Sequence, residues 1–432
     1  MRLRAVFLPA HVLRAVFLCC LSVSAFAQDG KPLTLARALQ AAEAPHPDLQ
    51  IAEAERDIAL ADQAFAGSRQ DLSVTLEGRV QGAQSSLPGA DFGADNSVRL
   101  VARKNLFDFG RSANSVGAAR AVTEARDRSL LEARDQRRID IMARFFDVLM
   151  ADLRYVADSE FMTVAYLNFD RGRDQFNQKL LAKVDLSALE AHFQDLLVKR
   201  NESQLQQRLT RALLADAMNQ PGQLVSDLED PKLPDNQRAL PTYESLVALL
   251  DQSPRIQSSK KLLEASRQRL EALRADNNPN LDAEIEANDY ANRRLQGRDA
   301  VRAGLVLSWP VYQGGRNASQ FAREQAQFHK LQAEAEITKR KVTQAVLKLL
   351  LEAEQLQKTA RNAAQVQADY RDLALDRARA QYEVELKTNL GETEAFTIEA
   401  KLRQRAVEYR LALTLAKLEA LLGQPLPKPV VK

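Results

Sequence analysis

The sequence predicts a mainly α-helical protein with a small β portion, built from two copies of one structural unit. One motif occurs twice, because residues 106–111 (LFDFGR) are echoed about 205 positions later by residues 311–316 (VYQGGR). Each copy follows two short segments in which apolar and polar residues alternate, and each opens a stretch of more than a hundred residues without proline. Internal repeats define the folding unit. The expected unit is therefore a helix, two strands and a very long helix.

The first 27 residues have the composition of a signal peptide. A basic start is followed by an apolar core at 15–26 and by Ala25-Phe26-Ala27, a small-x-small cleavage site. The basic residues are Arg2, Arg4 and Arg14. A lipoprotein anchor at Cys19 or Cys20 is the competing interpretation, although Leu18 and Cys19 are poor substitutes for the small residue expected before a lipidated cysteine. Either interpretation predicts export.

Removal of this segment changes what charge and cysteine content imply. The whole chain has 60 basic and 57 acidic residues, and the first 27 residues hold three arginines and no acid. The mature chain is therefore electrically balanced, which argues against a nucleic-acid partner. Its only cysteines, Cys19 and Cys20, leave with the signal peptide. The mature chain can form neither a disulfide nor a thiolate metal site.

Long helices are predicted by both composition and periodicity. Proline is absent between Pro88 and Pro221 and between Pro310 and Pro425, and interior proline would break a helix. Apolar residues recur in steps of three and four, the pattern of helices that pack as coiled coils. The two seams are Met142, Phe146, Leu149, Leu153, Val156 and Val342, Val346, Leu349, Ala353, Leu356, Ala360, Ala363. After position 27 there is no uncharged apolar run long enough for a transmembrane helix.

Four segments alternate strictly and are predicted strands of bilayer-crossing length: 72–80, 97–104, 280–288 and 300–309. In a barrel their polar faces would point into a wet lumen and could pair across strands. The charges concerned are Arg99, Arg103, Asp282, Glu284, Glu286 and Arg302. An ordinary four-stranded sheet with one solvated face fits the alternation equally well. Export and the flanking long helices favour the barrel.

A barrel would require several copies of the chain. Four strands cannot close a transmembrane barrel, whose minimum is about eight strands, and open strand edges are not tolerated in hydrocarbon. Three copies would supply twelve strands. Residues 111–176 as one helix would measure about 100 Å, which is longer than any membrane is thick. A channel embedded at one end and projecting across the periplasm fits this length.

The chain resembles the TolC-like outer-membrane efflux proteins over essentially all of its mature length. The resemblance rests on residues 106–111 (LFDFGR), on residues 309–316 (WPVYQGGR) and on two segments that look like helical tips. Phe109 departs from the glycine usual in the family. The resemblance implies a trimeric twelve-stranded β-barrel that continues into a periplasmic α-helical barrel. It also implies docking onto a periplasmic adaptor and an inner-membrane transporter, either ABC-type or proton-driven.

In this family the periplasmic end is closed by polar contacts near the tips of helical hairpins. By resemblance, residues 179–186 (KLLAKVDL) form the first tip and residues 382–390 (YEVELKTNL) the second. Tyr382 matches the latch tyrosine and Asp185 the first-tip aspartate. Lys387 stands where arginine is common, Gly391 replaces an aspartate, and Glu394 keeps an acid one turn on. Asp185 is expected to contact Lys387 or Tyr382, whereas the plain alternative is that these groups are solvated charges at a hairpin end.

No residue pattern indicates an enzyme, a cofactor site or a metal site. Residues 313–316 (QGGR) lack the Gly-Lys-Ser/Thr ending of a phosphate-binding loop, so Gly110, Gly314 and Gly315 are predicted to be hinges between barrel and helix. A periplasmic coiled-coil adaptor is the alternative function, but it would need a single hairpin with lipoyl-like flanks. A structural surface fibre would show one continuous heptad array.

The sequence therefore predicts a homotrimeric outer-membrane exit duct with a periplasmic extension, serving efflux or type I secretion. It would contact outer-membrane lipid and use no cofactor. The expected divisions are a signal peptide, a first repeat, a linker, a second repeat and a disordered tail, at 1–27, 28–220, 221–241, 242–424 and 425–432.

Overall fold

The computed structural model describes residues 32–84, 91–225, 227–290, 300–383 and 390–427. The predicted signal peptide, Lys387 and residues 428–432 lie outside the described residues. The helices are α1 (Leu35–Gln40), α2 (Pro47–Ser68), α3 (Arg111–Asn177), α4 (Lys183–Ala217), α5 (Tyr243–Val247), α6 (Pro254–Ala275), α7 (Arg316–Gln355), α8 (Arg361–Glu383) and α9 (Leu390–Leu422). The strands are β1 (Ser73–Arg79), β2 (Gly82–Ala83), β3 (Gly93–Ala94), β4 (Ser97–Phe107), β5 (Asn280–Tyr290) and β6 (Val301–Ser308).

The order of elements shows the duplication directly. In the first repeat, α1, a 3-10 turn and α2 lead to β1 and β4, which lead to α3 and α4. In the second repeat, α5, a 3-10 turn and α6 lead to β5 and β6. These strands are followed by α7 and α8, which together correspond to α3, and then by α9. Helices α2 and α6 each have 22 residues, and proline is the first residue of each. Proline suits that position because its missing N–H has no helical partner there.

The four long strands form one antiparallel sheet in the order β1-β4-β5-β6. The two repeats meet at its centre, where β4 pairs with β5. Strands β1 and β6 are the two edges of this sheet. A bulge between Asn105 and Phe107 interrupts the β4–β5 ladder close to the helical end of the sheet. The predicted four strands per chain and two structural repeats are confirmed.

The long helices lie side by side in one layer. Next to the sheet the order is α2-α3-α6-α7, and farther away it is α4-α3-α9-α8. Helix α3 has 67 residues, which corresponds to about 100 Å. One flank of the layer is therefore α2 next to the sheet and α4 farther away. The other flank is α7 next to the sheet and α8 farther away. None of the described helices combines the length and the apolar character needed to cross a membrane.

Two apolar clusters hold the layer together midway along the long helices. One lies within the second repeat and includes Val342, Val346 and Leu418. The other surrounds Phe145 and Phe146 of α3. Helix α9 joins them, because the Tyr409 ring stacks on the Phe146 ring at 4.4 Å between centroids.

The chain packs slightly beyond the point at which the sequence predicted a disordered tail. The expected tail began at residue 425, but Leu426 is buried in the second-repeat cluster and its backbone N–H donates to Glu419 at 3.2 Å. Residues 425–427 are therefore part of the packed structure.

Candidate functional site

One face of the sheet is mainly apolar. The register aligns Val74, Ala102, Ile285 and Ala303 in one row across all four strands. A second row contains Leu76, Leu100, Ala287 and Val301. No described element covers this face, and Leu76 is 68% and Val301 66% exposed. A water-soluble sheet buries its apolar face against other elements, so the ordinary solvated sheet is not what the structure presents.

The other face of the sheet is polar and carries paired charges. The Arg103 guanidinium lies 2.6 Å from a Glu284 carboxylate oxygen, and that of Arg99 lies 3.0 Å from Glu286 and 3.8 Å from Glu284. Arg302 is aligned with Glu286 in the next strand. Asn105 donates to Asp282 at 2.9 Å. Five of the six residues predicted as lumen charges are therefore ion-paired or hydrogen-bonded here, and Arg302 is in register with them.

Charge on the polar face is balanced. Alternation along each strand places four acidic and four basic side chains of the described residues there: Glu77, Asp282, Glu284, Glu286 and Arg79, Arg99, Arg103, Arg302. Cross-strand pairs of opposite charge stabilise a sheet, whereas like charges in direct opposition destabilise it. A conduit lined by this face would show little preference for the sign of a solute's charge.

The duplicated motif forms the turn from strand to long helix in both repeats. Gly314 and Gly315 have left-handed backbone, with φ of 60° and 78°. Gly110 occupies the same conformation at 84°, and Phe109 at 54° takes the place of Gly314. This region favours glycine, because a Cβ costs about 1–2 kcal/mol there. The Phe109 ring contacts the Phe107 ring at 4.8 Å, edge to face, which offsets part of that cost.

Two further contacts at this turn were not predicted from the sequence. The buried Asp108 carboxylate accepts the Ser112 backbone N–H at 2.8 Å and so caps the start of α3. Arg111 reaches Asp276 at the end of α6, at 3.1 Å, and links the two repeats beside the sheet. An aspartate shortly before a long proline-free stretch is a capping signal that could have identified Asp108.

The far end of the helical layer holds the residues predicted to form the tips. Asp185 lies in the first turn of α4, where a carboxylate complements the positive end of the helix dipole. Tyr382 lies at the end of α8, and Glu394 lies in the second turn of α9. All three are exposed, and Asp185 and Tyr382 have no hydrogen-bond partner among the described residues. The proposed Lys387 contact falls outside the described part of the chain.

Gly391 has a packing role that sequence reasoning missed. A Cβ built on it would lie 2.7 Å from Cγ2 of Val164. Helix α9 therefore approaches α3 closely at this point, and a side chain as large as aspartate would force the two helices apart.

Comparison with known proteins shows which family this chain resembles. The sequence model of the outer membrane efflux protein family matches residues 246–424, which is most of the second repeat. The chain is similar to this family over that region. The resemblance to outer-membrane efflux proteins that the duplicated motif predicted is thus confirmed. A search among functionally curated proteins gives no significant match.

Solved structures extend the likeness to both repeats. The outer membrane protein VceC of Vibrio cholerae is 17% identical, with a TM-score of 0.72 over 90% of this chain and 96% of its own. The CmeC outer membrane channel of Campylobacter jejuni is 14% identical, with a TM-score of 0.73 over 91% and 86%. The open-state MtrE outer membrane channel of Neisseria gonorrhoeae is 18% identical, with a TM-score of 0.70 over 92% and 91%. At such identities the likeness shows the fold, and it confirms the predicted fold class.

Proposed function

We propose that this protein is the outer-membrane exit duct of a tripartite efflux or type I secretion system, a passive homotrimeric channel that spans the outer membrane and extends through the periplasm. The observation that carries the proposal is that the two edges of the sheet and the two flanks of the helical layer lie on the same two sides of the chain. Strand β1 continues from α2, and strand β6 continues into α7. On each side of the chain, an edge strand and the long helix connected to it are therefore free to pair with a neighbouring copy.

The sheet supports closure by further copies. An apolar face of this extent belongs against lipid, but edge strands β1 and β6 would leave unpaired N–H and C=O groups in hydrocarbon. Pairing β6 of one copy with β1 of the next satisfies both edges. A head-to-tail contact of this kind generates a ring when the rotation closes. Three copies would give a barrel of twelve strands.

The helices support closure at the same flanks. The flank helices α2, α4, α7 and α8 each expose several large apolar side chains. Among the described residues of the central helices, α6 and α9 expose none, whereas α3 exposes several near its middle and far end, such as Val156 and Tyr166. Helix α2 carries a stripe of three at seven-residue spacing, hereafter the α2 stripe (Ile51, Ile58, Phe65). The others include Val198, Leu205 and Leu209 on α4, Ile337, Leu347 and Leu351 on α7, and Val366, Tyr370 and Leu373 on α8. The exposed apolar residues along both flanks fit contact with neighbouring copies.

The partners follow from what a passive duct needs. A water-filled bore has no energy source of its own, so delivery would come from an inner-membrane transporter, ABC-type or proton-driven, through a periplasmic adaptor. The adaptor alternative is not favoured, because the chain has two complete repeats and a sheet at the ends of its long helices.

The gate would lie at the far tips of the hairpins. Asp185, Tyr382, Lys387 and Glu394 are the residues we assign to it. The exposed position of Asp185 and Tyr382 at the ends of α4 and α8 supports this assignment. Contact between tips, within one copy or between copies, would hold the bore closed until the adaptor docks.

Planar-bilayer recording tests both the duct and its gate. Purified mature protein is expected to form discrete channels of low conductance, and Asp185→Ala combined with Lys387→Ala should raise the single-channel conductance, because polar contacts that close the tips are lost. Ser187→Ala, beside Asp185 on α4, is the matched control and should leave conductance unchanged. Failure of the parent protein to form channels would contradict the duct. Equal conductance of parent and double variant would contradict the gate assignment alone.

A further inference from the structure

The second repeat contains a break in helical geometry that the first repeat lacks. Helix α3 runs without interruption from Arg111 to Asn177, whereas its counterpart passes through a π-helical segment at Leu356–Ala360 between α7 and α8. A π turn holds more residues than an α turn, and such turns occur often at functional positions.

The sequence explains why the break exists. Gln175-Phe176 near the end of α3 corresponds to Gln381-Tyr382 near the end of α8. Counted from Arg111 and Arg316, the second repeat has one residue more than the first before this pair. The π segment takes up that extra residue, so the helix above it and the helix below it both keep the register of the first repeat.

The inter-repeat linker, residues 221–241, is hydrogen-bonded to the chain at this segment. The Gln357 side-chain amide donates to the backbone oxygens of Asn236 at 3.1 Å and Arg238 at 2.7 Å. One turn farther from the sheet, Arg361 donates twice to the Glu408 carboxylate on α9, at 2.6 and 2.8 Å. The buried Asn236 side chain donates to the same carboxylate at 2.7 Å. These four residues, Asn236, Gln357, Arg361 and Glu408, form what we call the linker clamp.

The clamp is built from strong hydrogen bonds. Charge-assisted and bidentate contacts are about twice as strong as neutral ones. Burial by itself would raise the pKa of Glu408, but the hydrogen bonds from Arg361 and Asn236 outweigh it and leave that pKa below the ordinary glutamate value. The carboxylate therefore stays ionised at neutral pH. A second pair reinforces the linker nearby, because Asp230 lies 2.6 Å from Arg405 and accepts the Tyr409 hydroxyl at 2.7 Å.

The π segment lies far enough from the tip of the hairpin that a small bend at the segment would displace the tip. Helix α8 has 23 residues, which places the segment about 35 Å from the end of the hairpin. A bend of about 10° there would move the tip by about 6 Å. The unbroken α3 offers no such pivot in the first repeat.

We propose that the Leu356–Ala360 π segment is the pivot on which the α8–α9 hairpin opens, and that the linker clamp locks this pivot in the resting duct. The proposal rests on the proposed function and adds a regulatory element at mid-height, distant from the tips. Release of the linker from Gln357 and Glu408 frees the second-repeat hairpin, while the α3–α4 hairpin stays fixed.

The test removes the charge of the clamp while keeping its shape. Glu408→Gln should leave the trimer intact in detergent, raise its single-channel conductance and speed amide hydrogen exchange in residues 361–383 by about ten-fold, since a charge-assisted hydrogen bond is lost. Exchange along α3 at the same height should not change. Arg410→Gln is the matched control, because Arg410 pairs with Glu352 of α7 at 2.7 Å above the pivot and does not touch the linker.

A deletion separates the pivot from the lock. Removing the exposed Lys358 restores an uninterrupted helix without changing either register, so the deletion variant should assemble, and adding Glu408→Gln to it should not raise conductance. Trimeric channels in which Glu408→Gln changes neither conductance nor exchange would overturn the lock while leaving the duct standing. Faster exchange along α3 as well would show general destabilisation and would also overturn it. Loss of assembly on deletion of Lys358 would overturn the pivot.

Discussion

Ile58→Asp is expected to prevent assembly and to leave monomeric chains that do not insert stably into the outer membrane. Ile58 is the centre of the α2 stripe and is 62% exposed in the single chain. In the closed ring it would be covered by α7 of the next copy. The substitution would bury one carboxylate per copy without a partner, at a cost of several kcal/mol each, and would remove about 2 kcal/mol of apolar burial.

Size-exclusion chromatography with light scattering measures this loss. The matched control is Ala64→Asp, which puts the same charge on an exposed position of α2 outside the stripe. The control should remain trimeric. A trimer of normal stability from Ile58→Asp would show that the α2 stripe does not lie in a contact between copies.

Arg99→Gln is expected to make the channel favour cations. Arg99 contacts Glu284 and Glu286 on the polar face, where acidic and basic side chains are balanced. Its loss leaves one uncompensated negative charge per copy, hence three around the bore at one level. Rings of like charge in a low-dielectric wall attract counter-ions, so the permeability of K⁺ relative to Cl⁻ should rise several-fold over the parent.

Reversal potentials under a KCl gradient give this ratio directly. Lys104→Gln removes the same charge from the same strand, but from the apolar face, where Lys104 is in register with Ala283. This control should leave the ratio close to that of the parent. An unchanged ratio in Arg99→Gln, with normal conductance, would mean that the polar face does not line the conduit.

The sequence predicted the fold where its signals were local or repeated. The duplicated turn, the absence of proline and the strict alternation gave the two units, the long helices and the four strands. Of the predicted seams, Phe146, Val346 and Ala353 are buried as expected, and Leu350 is buried more fully than Leu349. Val156 and Ala363 are exposed, and their neighbours Ala157 and Ala364 are buried in their place. Hydrophobic periodicity and the residues that break helices or strands are read from a few neighbouring positions in the sequence. Such features can therefore be inferred without knowing the tertiary structure.

Other features depend on contacts between distant segments and carry no periodic signal. The π segment shows only as a one-residue difference between repeats, and the linker clamp joins Asn236 to Glu408 across most of the second repeat. The close approach of Gly391 to Val164 is likewise set by packing. Among the predicted site residues, the charges of the sheet lie together, whereas the tip contacts remain a prediction.

The proposed duct requires each chain to form a third of a closed wall whose opposite flanks meet in neighbouring copies. The duplication itself suggests where. Within the chain, Ser129 of α3 and Ser258 of α6 have their hydroxyl oxygens 3.3 Å apart. Counted from the duplicated Arg111 and Arg316, Ser129 corresponds to Glu334 on α7; counted from Pro47 and Pro254, Ser258 corresponds to Ile51 on α2. If the ring repeats the internal packing, Glu334 of one copy faces Ile51 of the next.

Disulfide cross-linking in isolated outer membranes measures this directly. A chain carrying Glu334→Cys and Ile51→Cys should yield covalent trimers on oxidation, because serine hydroxyls at that distance occupy positions compatible with a disulfide. Ser129→Cys with Ser258→Cys is the internal control and should cross-link without a change in mass. Covalent trimers are expected if copies close into a ring through these flanks. Chains that stay uncross-linked at 51 and 334, while the internal pair forms its disulfide, would contradict it.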